Sequence, residues 1–235
     1  MHIHQPICYN FSAICGALTL AQKALGCSRV RPHTETENVV APLTFNDLAP
    51  ENQELVDAAL AASAKAYAPY SGFAVGAAVR VADADGNIKV VTGANVENAV
   101  YGLGICAEVS AIAAAHTLGV SRIEAIGVVG HRFFPPSSAS QVVRPCGRCR
   151  QIILEASQNS SCPVTVFSCS GDLQTIFAEP ISKLLPSPFG PADLGLDHMW
   201  PELRETLVTS VTRLRESKSR SGPKSLQDQK RHSAA

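Results

Sequence analysis

Four residues have types and spacings that suit metal chemistry. Cys146 and Cys149 lie three apart in Pro145-Cys146-Gly147-Arg148-Cys149, and Cys106 stands two before Glu108 in Gly104-Ile105-Cys106-Ala107-Glu108. Each segment falls where a loop turns into a helix. A helix start presents unpaired N–H groups and a partial positive charge, which favour the thiolate, the form that binds metal. Three residues apart on one turn, Cys146 and Cys149 can point the same way, and Cys106 could complete three sulfur ligands. A zinc ion held by three protein ligands keeps one position for water, as catalytic sites do, whereas structural sites close all four. Glu108 would close the site if it bound the metal. The preferred role is a carboxylate beside the open position, taking a proton from water that zinc has brought to a pKa of about 7 and passing it to a substrate nitrogen and a leaving group. A lone C-x-x-C is weak; C-x-E about forty positions before P-C-x-x-C is far more specific.

The surrounding pattern shows what positions these residues. Residues 48–65 are Ala-rich with Leu55, Ala59, Ala62 and Ala66 at helical spacing. Pro69-Tyr70-Ser71-Gly72 is a turn, and 73–81 alternates, with Phe73, Val75, Ala77, Val79 and Val81 on one face of a strand. Asp85-Gly86-Asn87 turns a hairpin into a returning strand over 88–94. A helix is expected over 107–118 with Val109, Ile112, Ala113 and His116 on its apolar stripe, then a strand at 125–130 and a helix at 147–157. Strands at 164–168 and 173–178 and a short helix at 181–185 complete the set. This order predicts an α/β fold, a three-layer α/β/α sandwich around a mixed five-stranded sheet, with parallel pairs in its second half joined by right-handed crossovers.

The folded domain is expected to span 43–196. Residues 1–42 read as a loose extension, and 197–235 as a short amphipathic helix at 201–215 followed by a basic, disordered tail from 216. The first acidic residue is Glu35, so 1–34 has the acid-poor character of an organelle leader, yet little Arg and no basic segment ahead of its apolar stretch. A cytoplasmic protein is the expectation, with targeting by 1–34 the alternative. Twenty Lys and Arg balance twenty Asp and Glu. A chain without net charge has no bulk field to gather nucleic acid, so a polynucleotide substrate is disfavoured; no membrane span is expected either.

The paired motifs are a variant of the H-x-E…P-C-x-x-C signature of zinc deaminases, with Cys in place of His. More of the chain resembles one branch of them, the cytidine deaminases of the small single-domain type. Residues 67–78 (Tyr-Ala-Pro-Tyr-Ser-Gly-Phe-Ala-Val-Gly-Ala-Ala) are similar to the first signature of that family, and 93–108, from Gly-Ala-Asn-Val-Glu-Asn-Ala to Cys-Ala-Glu, to the second. Pro145-Cys146-Gly147-Arg148-Cys149-Arg150-Gln151 and residues 184–191 (Leu-Leu-Pro-Ser-Pro-Phe-Gly-Pro) are similar to the third and fourth. The resemblance implies hydrolysis of the 4-amino group of cytidine and deoxycytidine to uridine and deoxyuridine with release of ammonia, in pyrimidine salvage. It implies zinc on Cys106, Cys146 and Cys149, with Glu108 moving protons. It places Asn95 and Glu97 on the sugar hydroxyls, Phe73 on the pyrimidine pocket and Ala107 on the pyrimidine edge through its backbone. Phe189 would reach the base from a neighbouring subunit of a homotetramer, and Tyr101, with Tyr70, is expected at the edge of the active site.

Two positions depart from the family pattern. Val109 stands where an Arg commonly follows the catalytic Glu, and Gly102 where Pro is common. Three thiolates give zinc an excess of negative charge that the Arg usually offsets; Arg148, Arg150 or the two helix starts are expected to offset it here. His116 reads as a core histidine, His131 as a surface one, and Cys162 and Cys169 as reduced thiols flanking a strand. Deaminases of aminoacylnucleoside antibiotics share Pro-Cys-Gly-Arg-Cys-Arg-Gln but lack the Asn-x-Glu-Asn-Ala-x-Tyr stretch, present here at 95–101. An inactive scaffold is expected to have lost Glu108 or a ligand; all are present.

Overall fold

The computed structural model describes residues 40–83, 85–120, 122–159, 163–196 and 199–220. The expected leader, Cys162 and the tail beyond 220 lie outside the described residues. Among the described residues, five strands and five α-helices follow one another: α1 (Pro50–Ser63), β1 (Phe73–Ala82), β2 (Ile88–Ala94), α2 (Ala107–Thr117), β3 (Arg122–Arg132), α3 (Gly147–Asn159), β4 (Thr165–Cys169), β5 (Ile176–Pro180), α4 (Ile181–Leu184) and α5 (Met199–Arg220). Helix α1 begins with Pro50 at its first turn, where a missing N–H costs nothing, and Glu51 beside it suits the positive end of the helix. No helix among the described residues is long and apolar enough to cross a membrane.

The strands form one sheet in the order β2-β1-β3-β4-β5. Strand β1 pairs antiparallel with both β2 and β3, and β3 runs parallel to β4. The expected run of parallel pairs is corrected at β5, which is antiparallel to β4. Only residues 170–175 join the two, too short for the crossover that a parallel neighbour needs. The sheet edge is closed by Leu43, which exchanges two backbone hydrogen bonds of 2.8 Å with Ile176.

Alternation along β1 divides the core. Ala77, Val79 and Val81 face α2 and α3, together with Ile126, Val128 and Val166. Ala78 faces α1 with Ala125, Val129 and Phe167. Layers on both sides of the sheet make the α/β/α sandwich. A bulge opposite Arg80 and Val81 resets the phase of β3, so Ile123 and Ile126 both reach the α2–α3 side.

Helix α2 is rotated from the expected stripe. Its buried residues are Ala107, Glu108, Ala111, Ile112 and Ala115, while Ala113 and His116 are exposed. Small side chains let the helix lie directly on β2: a Cβ on Gly93 would come within 2.4 Å of Ala111 N and 2.7 Å of Ala107 O. Val109, Ala113 and His116 instead line an outer groove shared with Ile152 and Ala156 of α3, beside the buried Ile112. His116 is therefore no core histidine. His131 is half-buried rather than on the surface, and its Nδ1 is buried without a hydrogen-bond partner. Cys169 is a buried free thiol as expected, pushed up to about 12 by burial. Helix α5 is longer at both ends than the expected 201–215, so 216–220 is helix rather than tail.

Candidate metal centre

Two loops and two helix starts converge at one end of the sheet. Val96 exchanges two backbone hydrogen bonds of 2.9 Å with Ile105, and Tyr67 binds Asn95 O and gives its own carbonyl to Glu97 N. This stitching holds the 95–97 segment beside the loop that ends at Cys106, the cap residue of α2. On the other side Val143 N donates to Cys169 O at 3.1 Å, which lays the loop before Cys146 across the end of β4. The Sγ atoms of Cys106, Cys146 and Cys149 then all lie within 4.8 Å of one another, with Cys146 and Cys149 at 3.4 Å. A tetrahedral zinc with Zn–S near 2.3 Å needs sulfur separations of about 3.8 Å, so the donor set fits that ion in number, type and spacing.

The cluster holds its protons unevenly. The Cys106 thiol is lowered to about 6, first by a hydrogen bond from Cys149, with Cys146 and Arg148 adding to it against burial and the Glu108 charge. Cys149, fully buried, is pushed up as the donor to Cys106, by burial and by the nearby negative charges. Three adjacent sulfurs cannot all ionise unaided; a divalent cation is what allows it.

Glu108 opens α2 two residues after Cys106 and is 4% exposed. Burial raises its carboxyl above the ordinary carboxylate range, while its own backbone N–H and Cys149 pull the other way. A carboxyl raised in this way holds a proton more readily than an exposed one, a property that suits acid–base chemistry. It lines a cavity of about 370 Å³ with Asn95, Glu97, Cys106, Ala107 and Cys146, walled by Val75, Val96 and Val143. That volume suits a small molecule rather than a polymer strand.

The remaining expected residues fall at graded distances from this cavity. Asn95 lines it while pinned to β1: its Oδ1 accepts from Val75 N at 2.8 Å and its Nδ2 donates to Phe73 O at 3.1 Å, which leaves one lone pair and one N–H for a ligand. Glu97 Oε2 accepts from the backbone N–H groups of Tyr70 (2.9 Å) and Ser71 (3.2 Å). The Ser71 hydroxyl, followed by these two amides, holds its carboxyl below the usual range against the effect of burial. Tyr101 is 87% exposed and lines an adjoining cavity with Tyr70, Ser71 and Glu97. Phe73 is not among the residues lining the metal cavity; its ring packs at the Gly130 backbone beside Val143, with the Arg132 guanidinium 5.9 Å from its centroid. Phe189 lies away from the cavity, exposed, its carbonyl accepting from Gln151 Nε2 at 2.8 Å.

Arg150 bonds to backbone carbonyls rather than to sulfur. Its guanidinium donates to Pro145 O and Leu184 O, both at 2.9 Å, and so fastens the metal loop to α4. Arg148 is the nearer cation: its charge helps lower the Cys106 thiol, and its Nη1 lies 3.5 Å from Gly104 O on the opposite loop. Arg144 is a cavity residue that sequence reasoning missed. It pairs with the buried Glu179 carboxylate and stacks 4.6 Å from the Phe177 ring centroid, while Lys183 pairs with Glu179 from α4. An Arg directly before P-C-x-x-C was the visible half of this contact. Its partner, 35 residues on, carried no local signal.

Three sulfurs beside a protonatable buried carboxyl, on an α/β/α sandwich, are the equipment of a zinc-dependent hydrolase. The profile of the family described as the cytidine and deoxycytidylate deaminase zinc-binding region matches residues 49–164. A cytidine deaminase of Mycobacterium tuberculosis is 40% identical over 139 residues, 57% of this chain and 85% of that protein. One from Halalkalibacterium halodurans is 38% identical over 149 residues, 62% of this chain and 98% of that protein. A crystal structure of cytidine deaminase from Burkholderia pseudomallei aligns at 37% identity with a TM-score of 0.49, covering 60% of this chain and 100% of that one. The chain belongs to the cytidine deaminase family, whose members are zinc enzymes.

Proposed function

We propose that this enzyme hydrolyses cytidine and deoxycytidine to uridine and deoxyuridine, releasing ammonia, and serves pyrimidine salvage in the cytoplasm. The observation that carries the reading is the meeting of three sulfurs within 4.8 Å of one another, those of Cys106 and Cys146 at the wall of one cavity with the buried carboxyl of Glu108. Cys106, Cys146 and Cys149 hold zinc, and zinc supplies Lewis acidity toward water. Glu108 takes one proton from the attacking water and delivers it to the pyrimidine ring nitrogen, then takes the proton of the hydroxyl now on C4 and delivers it to the amine, which leaves as ammonia while the C4 carbonyl forms. Its burial favours the protonated form that the return step needs. The backbone of Ala107, at the first turn of α2, faces the pyrimidine edge.

Sugar recognition falls to Asn95 and Glu97. A diol donates and accepts, and an amide with one free N–H beside a carboxylate with one free oxygen satisfies both. That division explains why the carboxylate is kept ionised by three local donors. The domain over 43–196 works as a homotetramer, with Phe189 of one subunit entering the site of another and Phe73 backing the pyrimidine pocket. Support comes from the apolar side chains beside the cavity: Val96, Val100, Tyr101, Leu103 and Ile105 are all exposed in the single chain, a patch of the kind that marks an interface.

The test is ammonia release from cytidine, deoxycytidine and free cytosine by the zinc-loaded full chain, with and without a chelator. Activity on both nucleosides, little on cytosine and loss with the chelator is the expected pattern. Turnover of cytosine as fast as cytidine would remove the sugar-binding assignment. Activity that survives complete removal of zinc would remove the metal assignment.

A further inference from the structure

We propose that the apolar stripe of α5 pairs antiparallel with the same helix of a second copy of this chain. Helix α5 has 22 residues, about 33 Å of helix. Only its beginning meets the domain. Arg204 Nη2 donates to Gly119 O at 3.0 Å, and Met199 and Leu203 border an apolar groove of about 310 Å³ with Phe189 and Leu194. From Glu205 to Ser217 every residue is exposed.

That exposed length is patterned. Met199, Leu203, Leu207, Val211 and Leu214 recur at helical spacing and lie between 45 and 66% exposed. A helix in water takes most of its stability from covering such a face, and beyond Leu203 its own domain does not cover this one. Charge identifies the occupant. Glu202 and Glu205 lie in the first half of the helix with Arg204, which is tied to Gly119 O, and Arg213 and Arg215 lie in the second with Glu216. Glu202 and Arg213 flank the same edge of the stripe, three turns apart at about 3.6 residues per turn. A parallel partner would set like charges side by side. An antiparallel copy with Leu207 on the two-fold axis sets Leu203 against Val211 and Glu202 beside Arg213, twice over by symmetry. A membrane-surface helix gathers Lys and Arg over its polar face; the polar face here carries both signs, which favours a protein partner.

The inference is independent of the deaminase reading, and its test uses no activity. In the zinc-loaded full chain, Leu207→Cys should form a disulfide-linked dimer through position 207 under mild oxidation. The yield should be at least tenfold above that of Thr209→Cys, which lies on the opposite face, and above the wild-type background. In sedimentation at varied concentration, Glu202→Arg and Arg213→Glu should each weaken self-association severalfold, and the two together should restore it. Equal cross-linking at 207 and 209 would overturn the proposal, as would a charge-reversed pair no better than the single variants. Flotation of the chain with phosphatidylserine vesicles, abolished by Leu207→Asp and without cross-linking at 207, would overturn it in favour of a membrane surface.

Discussion

Gly93 is the point at which a single methyl group should separate fold from chemistry. The amide of Ala111 sits 2.4 Å from where a Gly93 Cβ would be, and the carbonyl of Ala107 sits 2.7 Å away. Ordinary contact begins near 3.4 Å, so Gly93→Ala requires α2 and β2 to part by about 1 Å. A third atom, Ser110 Cβ, lies 2.8 Å away; two of the three are backbone and the third is a Cβ, so no rotamer change relieves the clash. Overpacking of this kind costs about 1–3 kcal/mol. The turn that must move carries Cys106 as its cap and Glu108 at its second position. A misplacement of about 1 Å at the reacting groups costs up to about 10²-fold in rate. Gly93→Ala is therefore expected to lose about 1–3 kcal/mol in urea unfolding and about 10- to 100-fold in kcat/KM for cytidine, with one zinc still bound per chain. Gly102→Ala is the control, because a Cβ there meets nothing within 4 Å and the position sits outside the core; it should change neither quantity. Wild-type stability and kcat/KM in Gly93→Ala, measured beside that control, would refute the idea that close approach of α2 to β2 positions the site.

Three further outcomes follow from the same geometry. Glu108→Gln should keep zinc, by metal analysis, while ammonia release falls by about 10²–10⁴, the usual contribution of a positioned acid–base group; an active variant would reassign the proton carrier. Cys149→Ala should lose the metal and, with ligand some 100-fold above its Kd in the wild type, about 2.7 kcal/mol of linked stability, roughly 5–10 °C in Tm; wild-type zinc affinity would show the ligand set to be wrong. Glu179→Gln leaves Arg144 without its partner and should cost about 1–3 kcal/mol at pH 7. Burial works to raise the Glu179 carboxyl, but Arg144 and Lys183 overcome it and the group titrates below its ordinary range. A carboxyl lowered on folding contributes stability above its unfolded pKa of about 4.3 and loses it as pH falls through the folded value. The gap between wild type and Glu179→Gln in urea should accordingly close on acidification below about pH 4 and stay constant from pH 6 to 8. A gap that widened in acid would reverse the sign assigned to the pair.

Much of the site could be read along the chain because its parts are short motifs. Cys106 and Glu108 share one helix start and Cys146 and Cys149 another, so spacing alone put each pair on one turn. The three-layer architecture also followed from periodicity, since β1 alternates with period two and α1 with the helical period. Other features depended on what lies across a gap. The inward face of α2 could not be taken from hydrophobicity, because the half-buried Val109 looks more apolar than the buried Ala107 and Ala111. The absence of a side chain at Gly93, on a different strand, selected the small face. Strand β5 turned antiparallel because of a six-residue connection, at 170–175, whose length outweighs the habit of helix–strand alternation. The Arg144–Glu179 contact was invisible for the same reason: an ion pair between an exposed arginine and a buried carboxylate forms between charges that only folding makes neighbours.

Local order, then, was set by the amino-acid sequence itself. Helix starts, turns and alternation arise from backbone and side-chain preferences that act within a few residues, and these already placed three sulfurs and a carboxylate on two helix ends. Tertiary structure decided their distances, the depth at which Glu108 is buried and which arginines attend the sulfurs. Those quantities depend on packing between segments 40 or more residues apart, where exclusion of water and contact between backbones, rather than local preference, determine the outcome.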